Sequence, residues 1–274
     1  MGKVFKGAFA LLALVAIALG AWRWVTRSDS ELATLVEQAP QRVREALGAP
    51  PASSPAPTDV ATPPADAPLQ YPVPTDPYTA LPMLEASDEA FVAALGEAVA
   101  EPTFTQFVET QGLIRRLVVA IDNLPNGRLS MKQRPLKAVA GALAVTGDES
   151  TLTLSADNYA RYGPLVALAE RVDPAALAGV YRHYYPLFQQ AYQELGYPDA
   201  YFNDRLVAVI DHLLAASPVD GPVRLVQPHV LYRYADPALE ARSPGHKILL
   251  RMGPENSRRV QAVLRSWRAQ ILAQ

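Results

Sequence analysis

The sequence predicts a mainly α-helical domain with a minor β-hairpin, preceded by one transmembrane helix and a disordered proline-rich spacer. Three observations predict this order. An uncharged apolar run lies near the N-terminus, 12 of the 25 prolines fall between Pro40 and Pro82, and apolar residues then recur at helical spacing. The prediction divides the 274 residues into an anchor (1–27), a spacer (28–82) and a helical domain (83–274).

The predicted anchor is the uncharged run 7–22, which follows Lys6. As a helix it rises about 24 Å, somewhat less than the roughly 30 Å of a hydrocarbon core. Trp22 and Trp24 are typical of the headgroup interface and extend the apolar run. The sequence therefore predicts a contact with the membrane through residues 7–25.

Two alternatives to an anchor stay open. Small residues at 16–20 have the spacing of a signal-peptide cleavage site, and a buried helix of a soluble domain is the other alternative. The aromatic and basic cluster at 22–24 favours the anchor. The free amino terminus favours N-inside, which predicts a single-pass protein of the inner (cytoplasmic) membrane with a periplasmic C-terminal domain.

The predicted spacer has the composition of a chain without a packed core. Residues 49–82 are mostly Pro, Ala, Ser, Thr and Asp, with too few large apolar side chains to offset the entropy of ordering. In polyproline II conformation, at about 3.1 Å per residue, the segment has an upper reach near 100 Å. Residues 30–47 have apolar residues at roughly helical spacing around Pro40 and are either a short juxtamembrane helix or disordered.

The first two helices of the domain are predicted from caps, breakers and apolar stripes. Ser87 is a typical N-cap, and Asp88 in the first turn favours the helix dipole. Pro102 opens a second helix, which ends before the turn signal at 125–127. The stripes are Phe91, Leu95 and Val99 in the first helix, and Phe104, Val108, Ile114, Leu117, Val118 and Ile121 in the second.

A hairpin and two further helices follow. Residues 143–145 and 152–154 flank a turn and predict two short strands. Ser155 or Asp157 caps the next helix. Asp173-Pro174 pairs an N-cap with proline at the first helical position, and predicts a helix that continues to a stop at Gly196 with a kink at Pro186.

The last third of the chain is predicted as helix, irregular segment, then helix. Apolar residues after Pro198 (Phe202, Leu206, Val209 and Leu213) have the spacing of a core-facing stripe. Residues 223–234 are expected to be extended or irregular because prolines at 222 and 228 are incompatible with a regular helix. Two final helices are predicted to begin at Ser243-Pro244 and at Gly253-Pro254.

The formal net charge of −2 hides strong segregation along the chain. Residues 28–110 carry −11 and 147–240 carry −6, whereas 1–27, 111–146 and 241–274 carry +4, +5 and +6. We expect the C-terminal arginines to contact the acidic 147–240 region or an anionic partner. Nucleic acid is not expected as a partner, because the rest of the domain is acidic.

No motif in the sequence indicates catalysis, a metal or a cofactor. The absence of cysteine excludes disulfides, thiolate metal ligands and a cysteine nucleophile. The four histidines lack HxxxH and HxH spacing, and no phosphate loop, nucleophile elbow or HExxH motif is present. Asp204 and Asp211 share a helix face, but their backbones are about 10.5 Å apart, too wide for paired carboxylates, so we expect a solvated acidic face.

Two runs rich in tyrosine and arginine are the candidate binding residues. Such residues are common at hot spots of protein interfaces and in glycan sites. The alternative is that Asp157 and Asn158 cap a helix while the tyrosines fill the edge of the core. The candidates are Tyr159, Arg161, Tyr162, Asn203, Asp204 and Arg205.

The second run makes a specific geometric prediction. Phe202 and Leu206 define the buried stripe of their helix, so the three residues between them should turn partly or wholly outward. Adjacent side chains do not face each other on a helix, so Asp204 and Arg205 each need a separate partner or stay solvated.

Several linked motifs resemble a bacterial family of unknown function, the one numbered three thousand and fourteen. They are LFQQAY (187–192), ELGYP (194–198), FNDRL (202–206), IDHL (210–213), PVRLVQP (222–228), KILLRMG (247–253) and the EN that follows (255–256). The resemblance spans roughly 87–270 together with the order of anchor and spacer. It implies a bacterial envelope protein, and it carries no activity, cofactor or site residue.

The expected function is that of a non-enzymatic, membrane-anchored envelope protein whose exported domain binds a protein partner. The alternative is a binder of cell-wall glycan or another anionic envelope polymer through tyrosines and arginines, and the third is an enzyme of unknown reaction. Surface geometry separates them, because an open groove of Tyr and Arg favours glycan and a flat apolar patch favours protein. A deep pocket that gathers Asp, His and Arg would favour the enzyme.

Overall fold

The computed structural model describes residues 68–74, 80–99, 104–126, 131–138, 142–148, 150–228 and 231–273. The predicted anchor and most of the predicted spacer lie outside these residues. Within the described part of the chain, no helix has both the length and the apolar composition required to cross a membrane.

The described residues form a mainly helical domain with short antiparallel strand pairs, as the sequence predicts. The helices are α1 (Asp88–Val99), α2 (Leu113–Asn123), α3 (Ala156–Ala160), α4 (Gly163–Glu170), α5 (Pro174–Glu194), α6 (Phe202–Leu214), α7 (Pro237–Glu240) and α8 (Pro244–Leu272). The strands are β1 (Val145–Thr146), β2 (Thr153–Leu154), β3 (Leu225–Val226) and β4 (Arg233–Tyr234), and three single 3₁₀ turns lie at Leu84–Ala86, Phe104–Gln106 and Met131–Gln133.

Three predicted helix starts are confirmed by side-chain caps. The Asp173 carboxylate accepts a hydrogen bond from the Ala175 N–H at the start of α5, and Ser243 accepts from the His246 N–H at the start of α8. Of the two candidates before α3, Ser155 is the cap, because its hydroxyl accepts from the Asp157 N–H. Gly196 ends α5 with φ 117°, a conformation that favours glycine.

The second helix is shorter than predicted, because residues of its predicted first half form a 3₁₀ turn and a β-bridge instead. Phe104 lies in a 3₁₀ turn, and Val108 forms an isolated antiparallel bridge with Leu136. The helix begins at Leu113, after Gly112 with φ 61°. The Asp88 carboxylate accepts from the N–H groups of both Gly112 and Leu113, at 2.7 and 3.0 Å, so a side chain at the start of α1 caps α2.

The long helix α5 lies at the centre of the core. It packs against α1, α2, α6 and α8. An aromatic cluster joins these helices, with edge-on contacts of Phe91 to Phe188 (5.6 Å between ring centroids), Phe188 to Tyr181 (5.4 Å) and Tyr181 to Trp267 (6.1 Å). Because these rings come from three helices, they fix the relative positions of the first, fifth and last helices.

The predicted hairpin is confirmed, and a second strand pair extends it. Val145 pairs with Leu154 in β1–β2, and Leu225 pairs with Tyr234 in β3–β4. The segment predicted as extended or irregular therefore contains a hairpin. The two pairs are connected, because the Leu154 N–H donates to the Val223 carbonyl and the Leu225 N–H donates to the Leu152 carbonyl.

The sequence predicts a kinked but continuous helix at Pro186 and a new helical segment at Gly253-Pro254. Helix α5 continues through Pro186. Helix α8 breaks at Gly253, whose φ of 82° and ψ of 164° are not helical, so the predicted start of a new segment at Gly253-Pro254 is confirmed. A side chain at position 253 would also collide with Tyr159, because a Cβ there would lie 2.6 Å from the ring.

Contact with the helical domain begins upstream of the predicted boundary at residue 83. Within the predicted spacer, Tyr71, Val73 and Leu81 pack against the core as partly buried side chains. The backbone of Tyr71 is hydrogen-bonded to α6. Residues 68–74 therefore lie against the domain although their composition resembles that of the spacer.

Candidate functional site

The first predicted binding run, Tyr159–Arg161–Tyr162, is used inside the domain. Tyr162 is buried at 1% exposure, and burial raises the pKa of its hydroxyl. Tyr159 is half-buried with its ring against Gly253. Arg161 donates to the Ala142 carbonyl at 2.6 Å. These contacts fasten α3 to α8 and to the chain before β1, so the tyrosines fill the edge of the core.

Asn158, which was expected to cap a helix in that alternative, is a buried connector. Its side chain is fully buried, and its amide nitrogen donates to the Arg251 carbonyl at 2.9 Å. Its carbonyl oxygen accepts from the Arg161 guanidinium at 3.1 Å. One side chain thus joins α3 to α8, and the capping role belongs to Ser155.

The second predicted run does not face outward as expected. Asn203 and Arg205 are buried at 0% and 2% exposure, whereas Asp204 is half-buried. The physical reason is that α6 packs against α2, α5 and α8, so it buries more than one stripe. The outward orientation predicted from Phe202 and Leu206 is therefore wrong for Asn203 and Arg205.

The prediction that Asp204 and Arg205 find separate partners is confirmed. Arg205 Nε donates to Asp122 Oδ1 at 2.8 Å, and its Nη2 donates to the Asp122 carbonyl at 2.8 Å. Asp204 accepts from the N–H groups of Gln70 and Tyr71. Asp122 also accepts from the Tyr197 hydroxyl at 3.2 Å, so the ion pair with Arg205 belongs to a buried polar network.

The C-terminal basic residues contact the acidic 147–240 region, as the charge segregation predicts. The ion pairs are Arg258–Asp220 (2.7 Å), Arg259–Glu170 (2.6 Å), Arg268–Asp211 (2.6 Å) and Lys247–Glu240 (3.2 Å). Asp211 and Asp204 both have protein partners, so the acidic face of α6 is not simply solvated as expected. These arginines serve to hold α8 against the rest of the domain.

Two histidines, His212 and His246, stack on each other. The rings of His212 and His246 lie 4.1 Å apart and nearly parallel, and His212 Nε2 is 2.8 Å from Ser243 Oγ. Burial first, then His246 and Arg205, lower the pKa of His212 to about 4. Among the described residues, no group of three His, Asp or Glu is placed to hold a metal ion.

A concave surface also lies in a region that the sequence did not single out. We call it the basic groove. It has a volume of about 510 Å³ and lies between the start of α2, the 3₁₀ turn Met131–Gln133 and the end of α5. Its lining comprises three cations (Arg115, Arg116 and Lys132), one carboxylate (Glu194), three apolar residues (Val119, Ala191 and Leu195) and Gln111, Gly112 and Gln133.

Two arginines of α2 organise the basic groove in different ways. The Arg116 guanidinium donates to the carbonyls of Gln111, Lys132 and Arg134, and so ties the 3₁₀ turn to α2. Arg115 donates to Glu194 at 2.8 Å and to Glu85 at 2.5 Å, and 39% of its side chain stays exposed. Arg116 is therefore a scaffold for the groove, and Arg115 presents charge at its surface.

The signal for the basic groove in the sequence was the net +5 of residues 111–146. Arg115, Arg116 and Lys132 all come from that segment. The opposite wall, 191–195, follows about sixty residues later in the chain and contributes only one charge, so local patterning gives no indication that it closes a groove.

One family comparison matches the helical domain. The family described as "Protein of unknown function (DUF3014)" matches residues 113–268, which is more than half of the chain. The chain belongs to this family. The DUF3014 match confirms the membership expected from the linked motifs, and it includes α2 to α7 and most of α8. No curated protein and no solved structure matches the chain.

Eight of the ten residues that line the basic groove fall inside the DUF3014 match, whereas Gln111, Gly112, residues 68–74 and α1 precede it. Most of the groove therefore belongs to the matched part of the chain.

Proposed function

We propose that the chain is a single-pass membrane-anchored protein of the bacterial envelope, and that its helical DUF3014 domain binds a protein partner. In this proposal residues 7–25 anchor the chain in the inner membrane, and the domain lies on the periplasmic side. The partner presents an extended acidic segment to the basic groove. The domain acts as a binding module without catalysis or a cofactor.

The observation that carries the proposal is the combination of charge and shape in the basic groove. Three cations line the groove against two carboxylates, Glu194 in the lining and Glu85 beside Arg115, and the excess of positive charge favours an anionic ligand, because opposite charges steer association and fix register. Val119, Ala191 and Leu195 add apolar residues to the same lining. A volume of about 510 Å³ accommodates a few side chains rather than a folded domain, which favours an extended segment of the partner.

The lining distinguishes a peptide from the other ligands considered. A glycan site of the kind expected from the sequence combines arginine with tyrosine, on which sugar rings stack. The described lining contains arginines and no aromatic residue, so it favours an acidic peptide. Its single carboxylate, Glu194, is hydrogen-bonded to Arg115, and the lining has no histidine or serine, which supports binding rather than acid–base chemistry.

Photocrosslinking in intact cells tests the proposed partner. A photoreactive residue at Gln133, exposed in the basic groove, should form an adduct with a protein, whereas one at Ala269, exposed on α8, should not. Arg115→Gln combined with Lys132→Glu should reduce the Gln133 adduct about tenfold or more, as the loss of one or two charge contacts predicts. Arg258→Gln, which removes an exposed arginine outside the groove, is the matched control and should leave the adduct unchanged.

Three outcomes would contradict the proposal. An adduct with an envelope polymer in place of a protein would support the glycan alternative. A protein adduct that survives the double variant would show that groove charge is not used. Equal adducts from Gln133 and Ala269 would place the interface elsewhere.

The proposed anchor has its own test. The full-length protein should stay with the membrane through carbonate extraction and keep residues 1–22, because the apolar run and its tryptophans remain in the bilayer. Recovery of a chain that begins near Leu19 or Ala21 would demonstrate a cleaved signal peptide instead.

A further inference from the structure

Residues 69–74 lie across the first turn of α6 like a bound peptide. The N–H of Gln70 donates to Asp204 Oδ2 at 2.9 Å, and the N–H of Tyr71 donates to Asp204 Oδ1 at 2.8 Å. The Tyr71 carbonyl accepts from Asn203 Nδ2 at 2.9 Å. Two adjacent side chains of α6 thus satisfy three backbone groups of two adjacent residues, and the contacts to Asp204 are charge-assisted.

One of the receiving side chains, Asn203, is also held by the core of the domain. Asn203 is fully buried, and its Oδ1 accepts from the Tyr181 hydroxyl at 3.0 Å. Because that contact uses the oxygen end of the amide, the nitrogen end must point toward the Tyr71 carbonyl. Tyr181 is itself held in the aromatic cluster of α5 and α8. The site therefore has the rigidity of the core rather than that of a surface loop.

The sequence of the bound segment fits this site in one register. Prolines at 68, 72 and 74 have no N–H, so Gln70 and Tyr71 provide adjacent donors in a segment where donors are scarce. Tyr71 and Val73 pack against the core as well. The other tyrosine of the predicted spacer, Tyr78, follows Pro77, which has no N–H for the second carboxylate oxygen. Tyr71 is therefore the one aromatic residue of 28–82 that satisfies the pattern.

We infer that the Asn203–Asp204 turn of α6 is a docking site for an extended, proline-flanked peptide, and that its occupant is the chain's own tether at residues 69–74. We call this the tether site. It recognises two consecutive N–H donors, an aromatic residue at the second of them and a proline after it. The inference rests on contacts within the described residues and is independent of the basic groove.

Docking changes the geometry of the tether. It moves the point at which the spacer meets the domain from residue 83 to residue 68, which shortens the available reach by about 45 Å of polyproline II. The chain then leaves the domain beside α6, rather than at the start of α1. For an anchored protein, the tether site limits how far the domain moves from the membrane and which face it presents.

Hydrogen exchange of the full chain in detergent micelles tests the inference. Gln70→Pro removes one donor without altering the domain, and Asp204→Ala removes the acceptor. Both should raise amide exchange of the segment 68–74 by at least about tenfold, as expected when docking contacts of this strength are lost. Asp199→Ala, at an exposed carboxylate outside the site, is the control and should exchange like the wild type.

A second measurement separates the tether from other occupants and from misfolding. Exchange of α2 and α5 should be the same in all four proteins, which shows an intact domain. Light scattering should give a mass that does not depend on concentration. A dimer that dissociates in the Asp204→Ala variant would mean that the tether docks on a second copy, and wild-type exchange of 68–74 as fast as in the variants would mean that no docking occurs. Either result overturns the inference.

Discussion

The first turn of α6 and the basic groove both concentrate polar residues, and they use them in opposite ways. At α6, Asn203 and Arg205 are almost completely buried, and each bonds to a residue far away in the sequence. In the basic groove, Arg115 remains 39% exposed, and the carboxylates that it contacts are exposed as well. The side chains at α6 are committed to the fold, whereas Arg115 of the groove keeps part of its charged side chain exposed to a ligand.

The difference shows that residue type alone does not identify a binding surface in this protein. Tyr, Asn, Asp and Arg are enriched in the run 201–205, which made it a candidate, yet most of its hydrogen-bonding capacity is satisfied within the chain. Arg115 and Lys132 belong to a less distinctive sequence. Their importance follows from the concave shape to which they contribute.

The largest loss of stability is expected when Arg205, at the first turn of α6, is substituted. Arg205→Ala leaves Asp122 as a buried carboxylate without its ionic partner, and the free energy of unfolding should fall by about 3–5 kcal/mol. Urea denaturation followed by circular dichroism measures this change. Arg259→Ala, which breaks a partly exposed pair with Glu170, is the control and should cost about 0–1 kcal/mol. Similar losses in the two variants would show that Arg205 is less committed to the fold than its burial indicates.

A smaller, pH-dependent contribution to stability is expected from His212. Its pKa is lowered to about 4 in the folded domain, below the value near 6.5 of an unfolded chain. Above about pH 6.5 the imidazole is neutral in both states and its contribution is constant. As the pH falls from about 6.5 to about 4, the unfolded chain binds the proton first, so stability decreases over that window.

Comparison with the His212→Gln variant separates the contribution of His212 to stability from that of the carboxylates, which titrate in the same pH range. The wild type should lose more stability between pH 7 and pH 4.5 than the variant, as measured by the urea midpoint at each pH. The neighbouring His246, Arg205 and Arg242 all disfavour a second positive charge in this region. Parallel pH profiles of the two proteins would show that His212 is as readily protonated in the folded domain as in the unfolded chain.

The smallest effect on stability is expected in the basic groove. Arg115→Gln should leave the urea midpoint unchanged within error, because the guanidinium and both carboxylates that it contacts are exposed. Substitution of the adjacent Arg116 should have a larger local effect. Arg116→Gln removes donors to three carbonyls and should loosen the 3₁₀ turn, which would be measured as faster hydrogen exchange at 131–134. If Arg115→Gln destabilised the domain as much as Arg205→Ala, the contrast between the two regions would fail.

Local signals in the sequence located most of the helices. Asp173-Pro174 and Ser243-Pro244 begin α5 and α8 because capping and proline geometry act within one turn. The same reasoning failed between 102 and 112. There Val108 bridges Leu136, and the Asp88 carboxylate starts α2 eleven residues after the predicted position.

The sequence predicted less of the candidate site than of the fold. Charge segregation correctly predicted that the C-terminal arginines contact the acidic region, and it marked 111–146 as basic. It did not indicate the groove, because α5 supplies the second wall. The tether site was also hidden, since residues 68–74 have the composition of the proline-rich segment around them and are held by two side chains of α6.

The sequence by itself determined the helical class of the domain, its caps and breaks, the family motifs and the segregation of charge, because each depends on neighbours within a few residues. Only the tertiary structure decided which polar residues turn inward and which remain open. Arg205 finds Asp122 across 83 positions, and Asn203 finds Tyr71 across 132. A buried polar group must have a partner, but its identity follows from how the helices pack and is absent from the local pattern.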